Sequence, residues 1–250
     1  MAPHVVGRPL ALVRCPEGAT AECFFQKHAS AGIDQKRLHL VREPDGDHVI
    51  TIGDLDGLIS LVQAGVLEIH TRGTTADALE TGDRLVFDLD PGPGIAWDDI
   101  VAAAREVRRR LADEGLESFL KTSGGKGLHV VLPTAPAPWD VAKAFARGIA
   151  EAMTADDPSR YTATVKKTSR EKRILVDYLR NSREATAVAP YSTRARPGAP
   201  VSTPITWEEL GAQTAANSYT VLNLGQRLAR LRKDPWADIG KVKQKLPKPR

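Results

Sequence analysis

Residues 84–94, RLVFDLDPGPG, constrain this chain more than any other stretch. An apolar, β-prone run ends in two carboxylates, Asp88 and Asp90, and meets prolines and glycines that make poor ladder partners. Such a strand needs apolar neighbours along its length and open space at its end. The rest of the sequence supplies neighbours of both kinds. Strands are predicted at RPLALVRC, CFFQKH, Leu38–Arg42, Val66–His70, Leu116–Thr122, Leu128–Leu132, Thr162–Lys166 and Ile174–Tyr178. A helix over Asp54–Val66 has Asp54 as its N-cap and Leu55, Leu58, Ile59 and Val62 on one face. A second, Trp97–Glu114, places Ile100, Val101, Ala104, Val107 and Leu111 on one side and stops at Gly115. A third covers Asp140–Met153 after a Pro-rich turn at Ala135–Pro138, and short helical pieces are read at Thr206–Leu210 and Val221–Leu231. Strands and helices mix without strict alternation. That predicts an α+β fold of mixed, largely antiparallel sheets flanked by helices.

The chain has 250 residues, 42% hydrophobic and 26% charged, so disorder throughout is excluded. No run of about 18 apolar residues spans a membrane, and MAPHVVGRPL has no secretory h-region. With no export signal, Cys15 and Cys23 are read as reduced thiols. Charge is uneven: residues 226–250 hold nine basic and two acidic groups, net +7, against a total of +4. The segment 241–250 reads as a basic, disordered tail. A second basic cluster comprises Lys166, Lys167, Arg170, Lys172 and Arg173. Such clusters attract polyanions when they are more than a solvated surface.

Asp88 and Asp90, two apart on a strand, project from one face at roughly 7 Å spacing. Hard oxygen ligands there suit Mg²⁺ or Mn²⁺, and Asp177, in the buried-looking ILVDYL, would be costly without a shared cation or a pairing with Arg173 or Arg180. The loop KTSGGKGLH brings Ser123, Lys126 and His129 between two strands, its glycines allowing close approach to phosphate oxygens. It is not a P-loop, and a plain glycine-rich hairpin has the same composition. His70 and Arg194 are ambiguous alone. Phe24 and Phe25, beside Lys27, form either a core pair or a stacking platform for a base. A phosphatase using the first Asp as nucleophile is the competing chemistry, but Pro91 and Gly92 stand where that pattern wants Thr or Val. A non-catalytic DNA-end-bridging module would need the basic patches without the carboxylates.

Taken in order, LEIH, RLVFDLDPGPG, KTSGGKGLHVVLP, RILVDYLRN and ATAVAPYSTRAR, with RPLALVRCPEG and CFFQKH upstream, resemble the primase-polymerase domain of bacterial ATP-dependent DNA ligase D. That family belongs to the archaeo-eukaryotic primase superfamily and acts in non-homologous end joining. The resemblance covers about residues 7–239. It implies a nucleotidyl transferase in which Asp88, Asp90 and Asp177 hold two Mn²⁺ or Mg²⁺ ions. His70, Ser123, Lys126, His129, Asn181 and Arg194 would surround the triphosphate of an NTP or dNTP. Phe24, Phe25, Lys27 and the basic cluster Lys166, Lys167, Arg170, Lys172 and Arg173 would hold 5′-phosphorylated, gapped or broken DNA. It further implies a bacterial, cytoplasmic, nucleoid-associated setting with Ku and a separate or fused ligase as partners. Residues 1–80 would bind template and DNA end, 81–210 form the catalytic core and 211–240 a helical end. Members carry a further N-terminal segment before the RPL motif, so Met1 is expected to fall inside its helix. No ligase or nuclease motif is present, which implies a polymerase unit.

Overall fold

A computed structural model describes residues 1–28, 33–44 and 46–247. Two six-stranded sheets make up the frame. The first uses β1 (Leu10–Arg14), β2 (Phe24–Gln26), β3 (His39–Arg42), β4 (His48–Thr51), β5 (Val66–Arg72) and, returning late in the chain, β11 (Thr186–Val188), with α1 (Ala2–Val5) and α2 (Leu55–Gln63). The second runs β12 (Pro204–Ile205), β7 (Phe119–Thr122), β8 (Leu128–Pro138), β6 (Thr81–Pro91), β10 (Ile174–Asp177) and β9 (Tyr161–Thr162). All pairings are antiparallel except β9 with β10. The expected α+β architecture is what forms.

Period-two alternation divides the second sheet into two faces. Leu85, Phe87, Leu89, Leu128, Val130, Leu132 and Val176 pack against α3 (Trp97–Asp113) and α4 (Trp139–Asp156) in the largest core cluster. The intervening residues, Arg84, Val86, Asp88 and Asp90 on β6, point to the other face. There Val86, Val131 and Phe119 pack with Trp236 and Ile239, from beyond α5 (Leu224–Arg230). Residues 211–240 were read as a helical end, yet α5 is their one α-helix among the described residues.

Three other expectations are corrected. In α2, Asp54 caps the helix by accepting from Gly57 N at 2.8 Å, as read. The buried face, however, is Gly57, Leu58, Ser60 and Leu61, while Leu55, Ile59 and Val62 stay exposed. A Cβ on Gly57 would lie 2.9 Å from Ile52 Cβ, so a small residue, not an apolar stripe, decides which side seats on the sheet. Cys15 and Cys23 are joined as a disulfide rather than free thiols. The β1–β2 register, Arg14 opposite Phe24, makes them the next cross-strand pair, with Cα atoms 4.4 Å apart. Finally, residues 241–247 of the tail are docked, not disordered. Gln244 O accepts from Ala135 N at 2.7 Å, the Gln244 side chain bonds Glu117 and Pro133, and Leu246 packs on the core. Residues 248–250 lie outside the described part.

Candidate active site

Register brings the acidic residues together. Asp177 on β10 stands directly opposite Asp88 on β6, and His129 on β8 stands opposite Asp88 from the other side. Lys121 on β7 is opposite His129. Directly paired residues share a face, so Lys121, His129, Asp88 and Asp177 form one polar row across four strands, and Asp90 adds a second carboxylate along β6. A one-residue slip in either pairing would send Asp177 or His129 to the helical side.

Arginines occupy these carboxylates. Arg180 Nε lies 3.3 Å from Asp88 Oδ2 and 3.2 Å from Asp177 Oδ2, and Arg170 Nη1 lies 3.0 Å from Asp90 Oδ2. Among the described residues no three His, Cys, Asp or Glu side chains are gathered tightly enough to hold a metal as they stand. The donor set nevertheless fits a pair of hard divalent cations: oxygen ligands, three carboxylates on one face, and guanidinium charge already standing between two of them. The electrostatics agree. Burial, and then the neighbouring Asp88, push the Asp90 carboxyl above its usual range against the pull of Arg170. Asp177 is likewise raised by burial, with Arg180 opposing. Desolvation works against ionised Asp88 too, but His129 and Arg180 beside it hold it well below the ordinary carboxylate range. Like charges this close cannot all ionise comfortably without a cation.

His129 is buried, with Nε2 3.4 Å from Asp88 Oδ1 and Nδ1 without a partner. Burial, then Lys121, takes its pKa down to about 4, so it is a neutral imidazole at pH 7. Lys121, absent from the sequence reading, is buried, donates to Ser202 Oγ at 2.6 Å and is pushed far below the usual lysine range by burial.

The glycine-rich loop at 123–127 closes on itself. Ser123 Oγ accepts from Gly125 N at 3.1 Å and Gly127 N at 3.2 Å, and Gly124 N donates to Ala216 O. Of its amides from 124 to 127, only that of Lys126 makes no hydrogen bond among the described residues. Gly127 is fixed by space, since a Cβ there would fall 1.8 Å from Leu89 O on β6. Ser123 is therefore an organiser of the loop, and exposed Lys126 is its free charge. Pro91, Gly92, Pro93 and Gly94 face Gly125 and Lys126 across an open cleft of about 460 Å³.

Asn181 is corrected. It was expected at the nucleotide, but its side chain is buried against β6, accepting from Val86 N at 2.7 Å and donating to Val86 O at 2.9 Å and Tyr178 O at 3.0 Å. It clamps β6 instead. On the first sheet, His70 Nε2 lies 2.8 Å from Glu68 Oε2, and Arg194 donates through Nε to Glu68 at 2.9 Å and through Nη1 to Ser123 O at 2.7 Å. Arg194 thus ties the first sheet to the loop. Burial opposes ionisation of Glu68, but His70, Arg194 and the Ala195 amide bring its pKa down to about 2. Glu68 is a residue the sequence reading left without a role, the short spacing Glu68-x-His70 being its only signal, whereas of the two arginines read as partners for Asp177 it is Arg180 that pairs with it.

Phe24 and Phe25 are 45% and 51% exposed, which settles them as surface rather than core. Phe25 meets the His70 ring edge-on at 5.9 Å, and Arg14 lies over the Phe24 ring at 5.5 Å. Lys27, Lys166 and Lys172 are exposed, Arg173 is half-buried, and Arg170 is turned to Asp90. The side chain of Lys167 lies outside the described residues.

Residues 1–236 match the family model for "LigD, primase-polymerase domain". The chain is 41% identical over 245 residues to a multifunctional non-homologous end joining protein LigD of Pseudomonas aeruginosa, covering 96% of this chain and 29% of that protein. It is 29% identical over 222 residues to a bifunctional LigD of Bacillus subtilis, covering 88% and 36%. The chain therefore spans about a third or less of these relatives. A solved polymerase domain of Mycobacterium tuberculosis ligase D, in complex with DNA, superposes with a TM-score of 0.85 at 30% identity over 96% of this chain and 87% of that one. No described helix is long and apolar enough to cross a membrane. The architecture, the acidic row and these likenesses agree: the chain belongs to the LigD primase-polymerase family, polymerase-type nucleotidyltransferases of end-joining repair.

Proposed function

We propose that this chain is a template-dependent polymerase that fills gaps and extends ends during non-homologous end joining, taking NTP or dNTP onto DNA with 5′-phosphorylated ends or gaps. The observation that carries this reading is the register that sets Asp88 opposite Asp177 with Asp90 two residues on, beside an open cleft. Asp88, Asp90 and Asp177 would hold two Mn²⁺ or Mg²⁺ ions. When bound, such ions lower the pKa of a primer 3′-hydroxyl and neutralise the triphosphate and the leaving pyrophosphate.

The chain's own residues do the rest. Arg180 and Arg170 release the carboxylates and turn their charge to the polyphosphate, a short swing for two partly exposed side chains. Lys126 adds charge at the cleft rim, and Arg194 holds the loop in place through Ser123 O. His129, neutral, steadies Asp88 without competing for cations. Phe24 and Phe25 offer faces for an unpaired template base, and Lys27, Lys166 and Lys172 meet phosphates. Ku and a ligase activity are the partners this role needs.

The test is incorporation of labelled NTP and dNTP on a 5′-phosphorylated gapped duplex, with Mg²⁺ and Mn²⁺ compared. Metal-dependent extension with pyrophosphate release is expected. DNA binding without any incorporation would leave only an end-bridging role, and release of inorganic phosphate would point to the phosphatase chemistry.

A further inference from the structure

Beside the acidic row, between the two sheets, lies a small, partly open cavity of about 20 Å³. Arg72 from β5, Arg84 from β6, Lys121 from β7 and Arg180 line it, with Val86 and Trp236 as part of its apolar wall. No acidic side chain lines it among the described residues. Some of this charge is answered nearby. Arg72 Nη2 meets Glu43 at 2.6 Å, and Arg180 meets Asp88 and Asp177. Arg84 is answered only at a distance, by the attraction of Asp83: no side-chain hydrogen bond or ion pair links it to a described residue. Its chain neighbour Asp83 is held by both terminal nitrogens of Arg8 at 2.7 Å. Arg72 Nη1 and Arg84 Nη1 are both buried without a partner. Burial and Arg8 lower the Arg84 pKa to about 9, which still leaves it charged at neutral pH.

We propose that this cavity is a binding site for a single halide-sized anion, chloride in the cell, held by the orphaned guanidinium N–H groups of Arg72 and Arg84. The space admits one small species. A water molecule could accept both hydrogen bonds but would leave the buried charge of Arg84 without a counter-charge in contact, which is the costlier omission. A monovalent anion answers both. Asp88 and Asp177 do not supply that charge to Arg84: neither lines the cavity, and their guanidinium partner is Arg180. The anion lets guanidinium groups be packed directly beside the acidic row without drawing its carboxylates towards them.

Two measurements test this. Crystals grown or soaked in sodium bromide should show an anomalous peak in the cavity between Arg72 and Arg84. In thermal unfolding at constant ionic strength, replacing bulky isethionate with chloride or bromide should raise Tm saturably. The rise should be roughly 5 °C at a hundredfold excess over the dissociation constant, and Arg84→Met should abolish the halide dependence. Should Arg84→Met fail to fold, the bromide map of the unaltered protein decides alone. Water without anomalous signal in the cavity, or an undiminished halide shift in Arg84→Met, overturns the proposal.

Discussion

Glu68 on the first sheet and Asp88 on the second are both strand carboxylates that meet one histidine and one arginine, yet they are held differently. Glu68 accepts from His70, Arg194 and the Ala195 amide at 2.8–2.9 Å, all from groups that are themselves largely buried. The side-chain contacts of Asp88, Asp90 and Asp177 are longer, 3.0–3.4 Å, although the Leu179 amide meets Asp177 at 2.8 Å, and their arginines reach solvent: the Arg180 side chain is 43% exposed. One carboxylate is a permanent joint between sheet and loop. The others are kept neutralised by partners that can leave. A carboxylate destined to bind exchangeable ions has to be held by something that dissociates, and a carboxylate that positions a loop must not be.

The largest expected effect tests the loose set. Asp90→Asn should lower nucleotide incorporation by about 10³-fold, several kcal/mol of charge stabilisation. Its Tm should stay level or rise, because burial and Asp88 already disfavour the ionised form of Asp90 in the fold. A fall of several degrees would put Asp90 in the structural class and dissolve the distinction. Glu68→Gln should behave the other way round. Breaking a buried, paired carboxylate costs about 3–5 kcal/mol, roughly 10 °C in a chain of this size. Incorporation should fall less than in Asp90→Asn, through a looser loop. A Tm within about 2 °C of the parent, on the same scaling, would mean that Glu68 is not a joint.

How much of this was legible in the sequence follows from the same physics. The strand RLVFDLD and the helix beginning at Trp97 are local patterns, and they were read nearly as they form, while only the first half of β8, Leu128–Leu132, was read as strand. The Pro-rich stretch at 135–138 was read as a turn because proline suits turns, whereas it completes β8 at its pairing with Thr81 and Gly82. The acidic row was legible as three candidate ligands, but their convergence rests on the Asp88–Asp177 register, a long-range fact. What sequence could not give were roles set by a partner far along the chain. Asn181 reads as one more polar residue after an Asp until Val86, 95 residues away, takes both ends of its amide. The Cys15–Cys23 bond followed from hairpin register, while a compartment argument pointed away from it. The α2 face failed for a similar reason: close packing on Gly57 outranks the widest apolar stripe.

A smaller effect separates the two regions by pH. His4 is buried against Trp236 and is neutral in the fold, its pKa lowered to about 4 by burial and then by Arg84. In the unfolded chain it titrates near 6.5, so between the two values the unfolded state binds more protons. Its contribution is full above about pH 6.5 and is lost as pH falls towards 4, up to about 3 kcal/mol. Glu68, depressed to about 2, holds its contribution down to about pH 4.5 and loses it only below that. Stability should therefore decline in two stages on acidification. His4→Gln should flatten the first and Glu68→Gln the second, as followed by urea unfolding at fixed pH values. A single transition unaffected by His4→Gln would remove the histidine from the linkage.

The smallest effect concerns the basic loop, where the same contrast between committed and free cations applies. Lys166 and Lys172 are exposed, and neither enters an ion pair among the described residues, whereas Arg170 is spent on Asp90. Each phosphate contact adds about 0.9 to the slope of log affinity against log salt on duplex DNA. Replacing Lys166 and Lys172 together by alanine should then reduce that slope by nearly 2 on a gapped duplex, with little change in incorporation at saturating DNA. Arg170→Ala should leave the slope nearly unaltered when the carboxylates are without divalent ions. Once Mn²⁺ displaces the guanidinium from Asp90, the same substitution should lower the slope by up to about 1. Anisotropy titrations from 50 to 200 mM salt, about the range over which such contacts are resolved, compare the three proteins directly. An equal loss of slope for Arg170→Ala with and without metal would show that its pairing with Asp90 does not withhold it from DNA.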